Sequence, residues 1–195
     1  MVKPRVMVLR APGTNCDQET AFAFEQAGGH ADVLHVNRLL ENARLTQDYQ
    51  ILCVPGGFSY GDDVAAGKIM ANQVVHHLAE PVRKFIDEGK LVLGICNGFQ
   101  VLVKAGILPG RSFKWEVEGL KSEASHGAAS ALPSDFKLQT SNFHQEDVTI
   151  TYNDSNKYED RWVYLVPQTD RCVFIEPQRR ICVPIAHGEG KIVTK

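Results

Sequence analysis

Short apolar runs alternate with amphipathic stretches through the first half of the chain. The apolar runs cover residues 5–9, 31–36, 50–54 and 90–95. Patterns of helical period lie at residues 17–27, 63–88 and 97–105. Pro81 is expected to break the second of these helices. Because continuous apolar strands separated by helices are typical of a parallel sheet covered on both faces, the pattern predicts a flavodoxin-like, doubly wound α/β domain.

The second half of the chain has a different pattern. Apolar and polar positions alternate more in residues 148–152, 161–166, 171–175 and 181–185. This alternation predicts antiparallel strands packed beside the main, parallel sheet. Residues 122–134 and 139–147 are expected to be loops. We therefore expect a single domain over residues 1–195.

Composition and charge narrow the class of protein. The chain has 195 residues, of which 44% are hydrophobic and 23% are charged, as in an ordinary globular protein. Its formal net charge of -2 gives no electrostatic case for a nucleic acid or an anionic membrane as partner. The sequence has no apolar run of about 18 residues and no secretion signal, so we expect a cytoplasmic protein. The five cysteines form no C-x-x-C pair, so no metal site is expected.

One cysteine lies at the joint between a predicted strand and a predicted helix. Cys96 is the centre of the sequence G-I-C-N-G at residues 94–98. This is the spacing of a nucleophile elbow, a strained turn that lifts a side chain out of a sheet. The helix that follows directs free N–H groups and the positive end of its dipole at the thiol, which favours the thiolate. Cys96 is therefore the predicted nucleophile, and the N–H of Asn97 a predicted oxyanion donor.

The other cysteines lack this context. Cys53, Cys172 and Cys182 lie within apolar segments and are expected to be core residues. Cys16 begins a helix, where the dipole could polarise its thiol, but it has no elbow and no catalytic role is expected for it.

Two further motifs are expected near the elbow. Gly56 and Gly57 follow the third strand, and their bare backbone N–H groups suit an oxyanion or a carboxylate, although most such pairs form plain tight turns. His187 and Glu189 lie in P-I-A-H-G-E-G at residues 184–190. They have the chemistry of a base and an orienting acid, and would share a face in an extended segment. Alternatively, His187 is a loop residue or shapes a pocket without moving protons.

Together, these motifs resemble those of the glutaminase subunits of phosphoribosylformylglycinamidine synthase. These PurQ-type proteins are class I glutamine amidotransferases of purine biosynthesis. The resemblance runs from about residue 5 to residue 190. It is carried by G-I-C-N-G-F-Q at 94–100, P-G-G-F-S-Y-G-D at 55–62, G-T-N-C-D at 13–17 and the segment 184–190.

The resemblance implies that Cys96 attacks the side-chain amide of glutamine, so that ammonia leaves and a glutamyl thioester is hydrolysed to glutamate. It places the oxyanion hole at the N–H groups of Gly57 and Asn97. The implied glutamine-binding residues are Gly56, Gly57, Gln100, His187, Gly188 and Glu189. No cofactor is implied in this chain, because the ATP is used by a synthetase subunit that receives the ammonia. A small third subunit often accompanies the pair.

One feature departs from the pattern of class I amidotransferases. Their triad histidine and acid come from a His-Pro-Glu motif near the C-terminus, and the 195 residues contain no such motif. The chain is then C-terminally incomplete, or an impaired glutaminase, or His187 and Glu189 have taken over as base and acid. The first of these is the expectation.

Two other functional classes compete with a glutaminase. A peptidase- or deglycase-like cysteine hydrolase would use a similar scaffold, but the loop at 55–62 and N-G-F-Q at 97–100 argue against it. A non-catalytic partner that docks on the synthetase is favoured by the missing His-Pro-Glu motif.

Overall fold

A four-stranded parallel sheet forms the centre of the first half of the molecule. The computed structural model describes residues 2–62, 64–109, 148–168, 170 and 172–194. The strands are β1 (Arg5–Arg10), β2 (His30–His35), β3 (Ile51–Val54) and β4 (Leu91–Gly94). Their order is β2-β1-β3-β4, and each neighbouring pair is parallel. The parallel sheet expected from the apolar runs is confirmed.

Helices cover both faces of this sheet. They are α1 (Asp17–Gln26), α2 (Val36–Glu41), α3 (Lys68–His77), α4 (Ala79–Asp87) and α5 (Asn97–Lys104). Successive side chains of β1 point to opposite faces of the sheet, as the pleat of a strand requires. Val6 and Val8 join the core cluster that contains Ala21 of α1. Met7 and Leu9 join the larger cluster on the other face, which is built with α2 to α5. The doubly wound arrangement is therefore confirmed.

The region from residue 63 to residue 88 differs in detail from the prediction. It contains two helices that meet at Leu78, and the first of them begins at Lys68. Pro81 lies in the first turn of α4 rather than at the break. A proline is tolerated there because the N–H groups of a first turn have no acceptor within the helix.

Two antiparallel ribbons make up the described part of the second half. β5 (Val148–Tyr152) pairs with β8 (Glu189–Thr194), and β6 (Glu159–Leu165) pairs with β7 (Ile181–His187). Three of the four expected strands are thus present. The fourth, at 171–175, is wrong, because residues 172–175 form turns and bends while β6 pairs directly with β7. The loops expected at 122–134 and 139–147 lie outside the described residues.

The cysteines expected in the core have different surroundings. Cys53 is fully buried on β3, and this burial raises the pKa of its thiol to about 12. Cys182 is exposed on β7, and Cys172 is only half-buried outside any strand. The core prediction is therefore wrong for these two. Cys182 lies on a ribbon that is open to solvent along much of its length, and Cys172 lies beside a turn outside the strands. No helix in the described ranges is long and apolar enough to cross a membrane.

Candidate active site

The joint between β4 and α5 has the geometry of a nucleophile elbow. β4 ends at Gly94, α5 begins at Asn97, and Cys96 precedes that first helical residue. Cys96 has φ 51° and ψ -112°, a region that L-residues other than glycine rarely occupy. Such strain is held in place by the surrounding structure and is common at functional sites. The turn leaves Cys96 exposed at the carboxyl edge of the sheet.

Two glycines allow the elbow to sit close to the neighbouring strand. A Cβ atom on Gly98 would lie 1.8 Å from the carbonyl oxygen of Val54 in β3. A Cβ atom on Gly94 would lie 2.8 Å from the carbonyl oxygen of Gly98. The first turn of α5 therefore packs directly on backbone, which any larger side chain would prevent.

The two consecutive glycines after β3 lie beside the elbow. A Cβ atom on Gly56 would be 3.4 Å from the Cβ of Cys96. Gly57 has φ 124°, and a Cβ atom there would be 2.3 Å from Oδ1 of Asn15. Thr14 also forms an isolated antiparallel bridge with Gly57. The G-T-N-C-D and P-G-G motifs, which are far apart in sequence, thus meet next to Cys96.

Cys16 also lies beside Gly56, but the surroundings of its thiol differ from those of Cys96. It precedes the first residue of α1, and its Cβ lies 3.8 Å from the position that a Cβ on Gly56 would occupy. Burial raises the pKa of the Cys16 thiol, and nearby Glu19 raises it further. These surroundings favour the thiol over the reactive thiolate, which agrees with the absence of an elbow at this position.

A buried amide network extends from the elbow. Asn97 is 3% exposed, and its Oδ1 accepts hydrogen bonds from the hydroxyl (2.6 Å) and N–H (3.3 Å) of Ser59. Its Nδ2 donates to Oδ1 of Asp62 at 3.1 Å and to Oε1 of Gln100 at 3.2 Å. The side chain of Asn97 therefore fixes the 59–62 turn against the helix, while its backbone N–H belongs to the unpaired first turn of α5.

The second half of the molecule joins this network through Gln100 and Glu189. Nε2 of Gln100 donates to the backbone carbonyl of Glu189 at 2.6 Å. The Glu189 carboxylate accepts from Nζ of Lys104 at 2.9 Å and from the N–H of Ala66 at 3.1 Å. Burial raises the pKa of this carboxyl, but the hydrogen bonds from Lys104 and Ala66 outweigh that effect and leave the pKa lowered. Glu189 is therefore an ionised carboxylate at neutral pH.

His187 is held by a residue that the sequence motifs did not indicate. Asn153 is 7% exposed, and its Nδ2 donates to the carbonyls of His187 and Lys157, both at 2.9 Å. Its Oδ1 is 3.0 Å from Nδ1 of His187 and also accepts from the N–H of Gly190. Because that amide oxygen is an acceptor, the imidazole carries a hydrogen on Nδ1.

The side chains of His187 and Glu189 have different hydrogen-bond partners. The imidazole is hydrogen-bonded to Asn153, whereas the carboxylate is hydrogen-bonded to Lys104 and Ala66. Gly190 packs on the imidazole, because a Cβ at that position would lie 2.0 Å from Cε1. The arrangement does not favour a base and acid pair formed by these two residues. Within the described segments, no group of three or more histidine, cysteine or acidic residues is placed to hold a metal ion.

Comparison with known proteins agrees with this geometry. The family model of CobB/CobQ-like glutamine amidotransferase domains matches residues 3–195. The phosphoribosylformylglycinamidine synthase subunit PurQ of Dehalococcoides mccartyi is 41% identical over 194 residues, which are 99% of this chain and 64% of the relative. PurQ of Treponema denticola is 38% identical over 99% of this chain and 65% of its own length. The chain thus spans just under two thirds of these relatives.

A solved structure supports the same assignment. The structure of PurLQS from Thermotoga maritima contains a chain that matches with a TM-score of 0.68 and 28% identity, over 100% of this chain and 71% of that chain. The predicted class I amidotransferase fold and the resemblance to PurQ-type subunits are both confirmed by these matches. Since the family model spans nearly the whole chain, this chain belongs to the CobB/CobQ-like glutamine amidotransferase domain family.

Proposed function

We propose that this chain is the glutaminase part of a phosphoribosylformylglycinamidine synthase, which acts in purine biosynthesis. It hydrolyses glutamine to glutamate and ammonia and passes the ammonia to a synthetase subunit. The observation that carries the proposal is the exposed Cys96, held at φ 51° between strand β4 and the N-terminus of α5. Relatives named PurQ, at 41% and 38% identity, support the choice of this reaction within the family.

The proposed chemistry begins with attack of the Cys96 sulfur on the side-chain amide carbon of glutamine. The thiol proton leaves with the amide nitrogen as ammonia, and a glutamyl thioester remains. The N–H groups of Asn97 and Gly57 stabilise the oxyanion, and the loss of one such donor costs about 10²–10³ in rate. Water then adds to the thioester, releases glutamate and restores the thiol.

The proposed glutamine pocket lies where the three motifs meet. Its residues are Gly56, Gly57, Gln100, His187, Gly188 and Glu189. Support comes from the contact of Gly56 with Cys96 and from the hydrogen bond that joins Gln100 to the Glu189 backbone. These contacts link the segment at 187–190 to the helix that begins at the nucleophile.

The partners in this proposal are a synthetase subunit, which uses ATP, and a small third subunit. The match to a chain in the structure of PurLQS supports both. No cofactor is assigned to this chain, and the proposed location is the cytoplasm.

The test is glutamate release from L-glutamine by the chain together with its synthetase partners, ATP and the ribonucleotide substrate. Cys96→Ala should reduce release to background, because it removes the proposed nucleophile, and the raised pKa of nearby Cys16 disfavours a thiolate at that position. Cys182→Ala, which removes an exposed thiol on β7, should leave release unchanged and serves as the matched control. Release that persists in Cys96→Ala would overturn the nucleophile assignment. Glutamine binding without release by the wild-type complex would favour a non-catalytic partner instead.

A further inference from the structure

Three polar residues of α5 lie on one face of the helix. Asn97, Gln100 and Lys104 follow the spacing of three and four residues that places side chains on one face of a helix. Asn97 contacts the 59–62 turn, Gln100 contacts the backbone of Glu189, and Lys104 contacts the carboxylate of Glu189. One helix face thus touches both the 59–62 turn and the Glu189 side of the proposed pocket.

The ion pair between Glu189 and Lys104 is well shielded from solvent. The two side chains are 12% and 13% exposed, and their charged atoms are 2.9 Å apart. Charge pairs on an open surface contribute little because water and salt screen them. A shielded pair is different, since the removal of one partner leaves the other charge without compensation.

Both members of this pair also hold the backbone of Ala66. Glu189 accepts the N–H of Ala66 at 3.1 Å, and Lys104 donates to its carbonyl oxygen at 2.7 Å. The next residue, Gly67, donates its N–H to Asp62 at 2.9 Å. The short segment of Ala66 and Gly67 is therefore held both by Asp62 and by the ion pair.

We propose that Glu189 and Lys104 form a positioning pair that clamps the segment at 187–190 to α5 and to the backbone of Ala66. The pair sets the distance between the glutamine pocket and Cys96 without itself touching the reacting atoms. The identity of glutamine as the ligand rests on the function proposed above. The clamp itself rests only on the hydrogen bonds and burial of the described residues.

Hydrogen–deuterium exchange tests the clamp independently of any ligand. Glu189→Gln and Lys104→Met should each accelerate exchange of the Ala66 amide at least about tenfold, because each removes a charged group that holds the Ala66 backbone. Lys104→Arg keeps the charge and should stay near the wild type. Glu176→Gln is the matched control, because it breaks an ion pair with Arg179 whose side chains are 72% and 66% exposed. Unchanged exchange in Glu189→Gln would overturn the clamp.

Steady-state kinetics of the same variants, in complex with the synthetase, test the positioning role. The KM for glutamine should rise about tenfold or more in Glu189→Gln and Lys104→Met, with a smaller change in kcat and with recovery in Lys104→Arg. The rate at which iodoacetamide alkylates Cys96 in the absence of glutamine should not change. Faster exchange with an unchanged KM would overturn the positioning role. If the wild-type chain shows no glutaminase activity, the proposed function is wrong. Hydrogen–deuterium exchange alone would then test the clamp.

Discussion

Replacement of Gly98 by alanine tests whether the close contact between α5 and β3 fixes the elbow. The new Cβ atom would lie 1.8 Å from the carbonyl oxygen of Val54, 2.5 Å from its carbonyl carbon and 2.9 Å from the carbonyl oxygen of Pro55. All three neighbours are backbone atoms, so no side chain can rotate away. The start of α5 has to move by about 1.5 Å to restore ordinary contact distances.

Two effects of opposite sign decide the outcome. Gly98 lies within α5, where alanine is intrinsically better than glycine by about 1 kcal/mol. Overpacking against fixed neighbours costs about 1–3 kcal/mol, and so severe an overlap belongs at the upper end of that range. The cost of overpacking should therefore exceed the gain in helix propensity, and we expect the free energy of unfolding to fall by about 1–2 kcal/mol.

Urea denaturation measures this difference through the transition midpoint at constant slope. Gly188→Ala is the matched control, because nothing lies within 4 Å of its would-be Cβ atom and its φ is not positive. That variant should be as stable as the wild type or slightly more stable. If Gly98→Ala proves as stable as the wild type, helix propensity governs this position and the argument from close packing is refuted.

Two further substitutions test contacts away from the elbow. Asn153→Ala should lower the free energy of unfolding by about 1–3 kcal/mol, because the carbonyl of half-buried His187 loses its donor. An unchanged urea midpoint would contradict this. Burial raises the pKa of Asp32, but hydrogen bonds from Arg5 and Tyr49 outweigh this effect and leave the pKa lowered. The ionised carboxylate therefore stabilises the fold above the unfolded-state pKa of about 4, and this stabilisation is lost as the pH falls through the folded-state pKa. Asp32→Asn should therefore lose less stability than the wild type on acidification from pH 5, and equal losses would exclude a contribution from this carboxylate.

The elbow could be predicted because its determinants are local. An apolar strand, two glycines around Cys96 and a helix all fall within residues 91–104. The parallel sheet was predictable for the same reason, since each of its strands contains adjacent apolar residues. By contrast, α2 was missed because it has six residues and is capped by His35, whose Nδ1 accepts the N–H of Asn37, instead of by a residue typical of helix starts.

The contacts that join the two halves could not be predicted in this way. Glu189 meets Lys104 and Ala66 across separations of 85 and 123 residues, and Asn153 meets His187 across 34. No local pattern encodes such partners. The pattern did not indicate β8, because its apolar residues, Ile192 and Val193, are adjacent and give no alternation. The strand expected at 171–175 was wrong because β6 pairs with β7.

The separation of 123 residues between Ala66 and Glu189 has a consequence for the order of folding. During synthesis, the strands and helices up to α5 leave the ribosome before Glu189 exists, and the contacts among them, which span fewer residues, can form first. The contact with Glu189 has to close a far longer loop, so we expect it to form after the transition state for folding. Loss of the ion pair should then speed unfolding and hardly alter the folding rate, which stopped-flow measurements on Glu189→Gln would reveal. On this view, the nascent chain carries an exposed cysteine before the residues that organise its surroundings have been made.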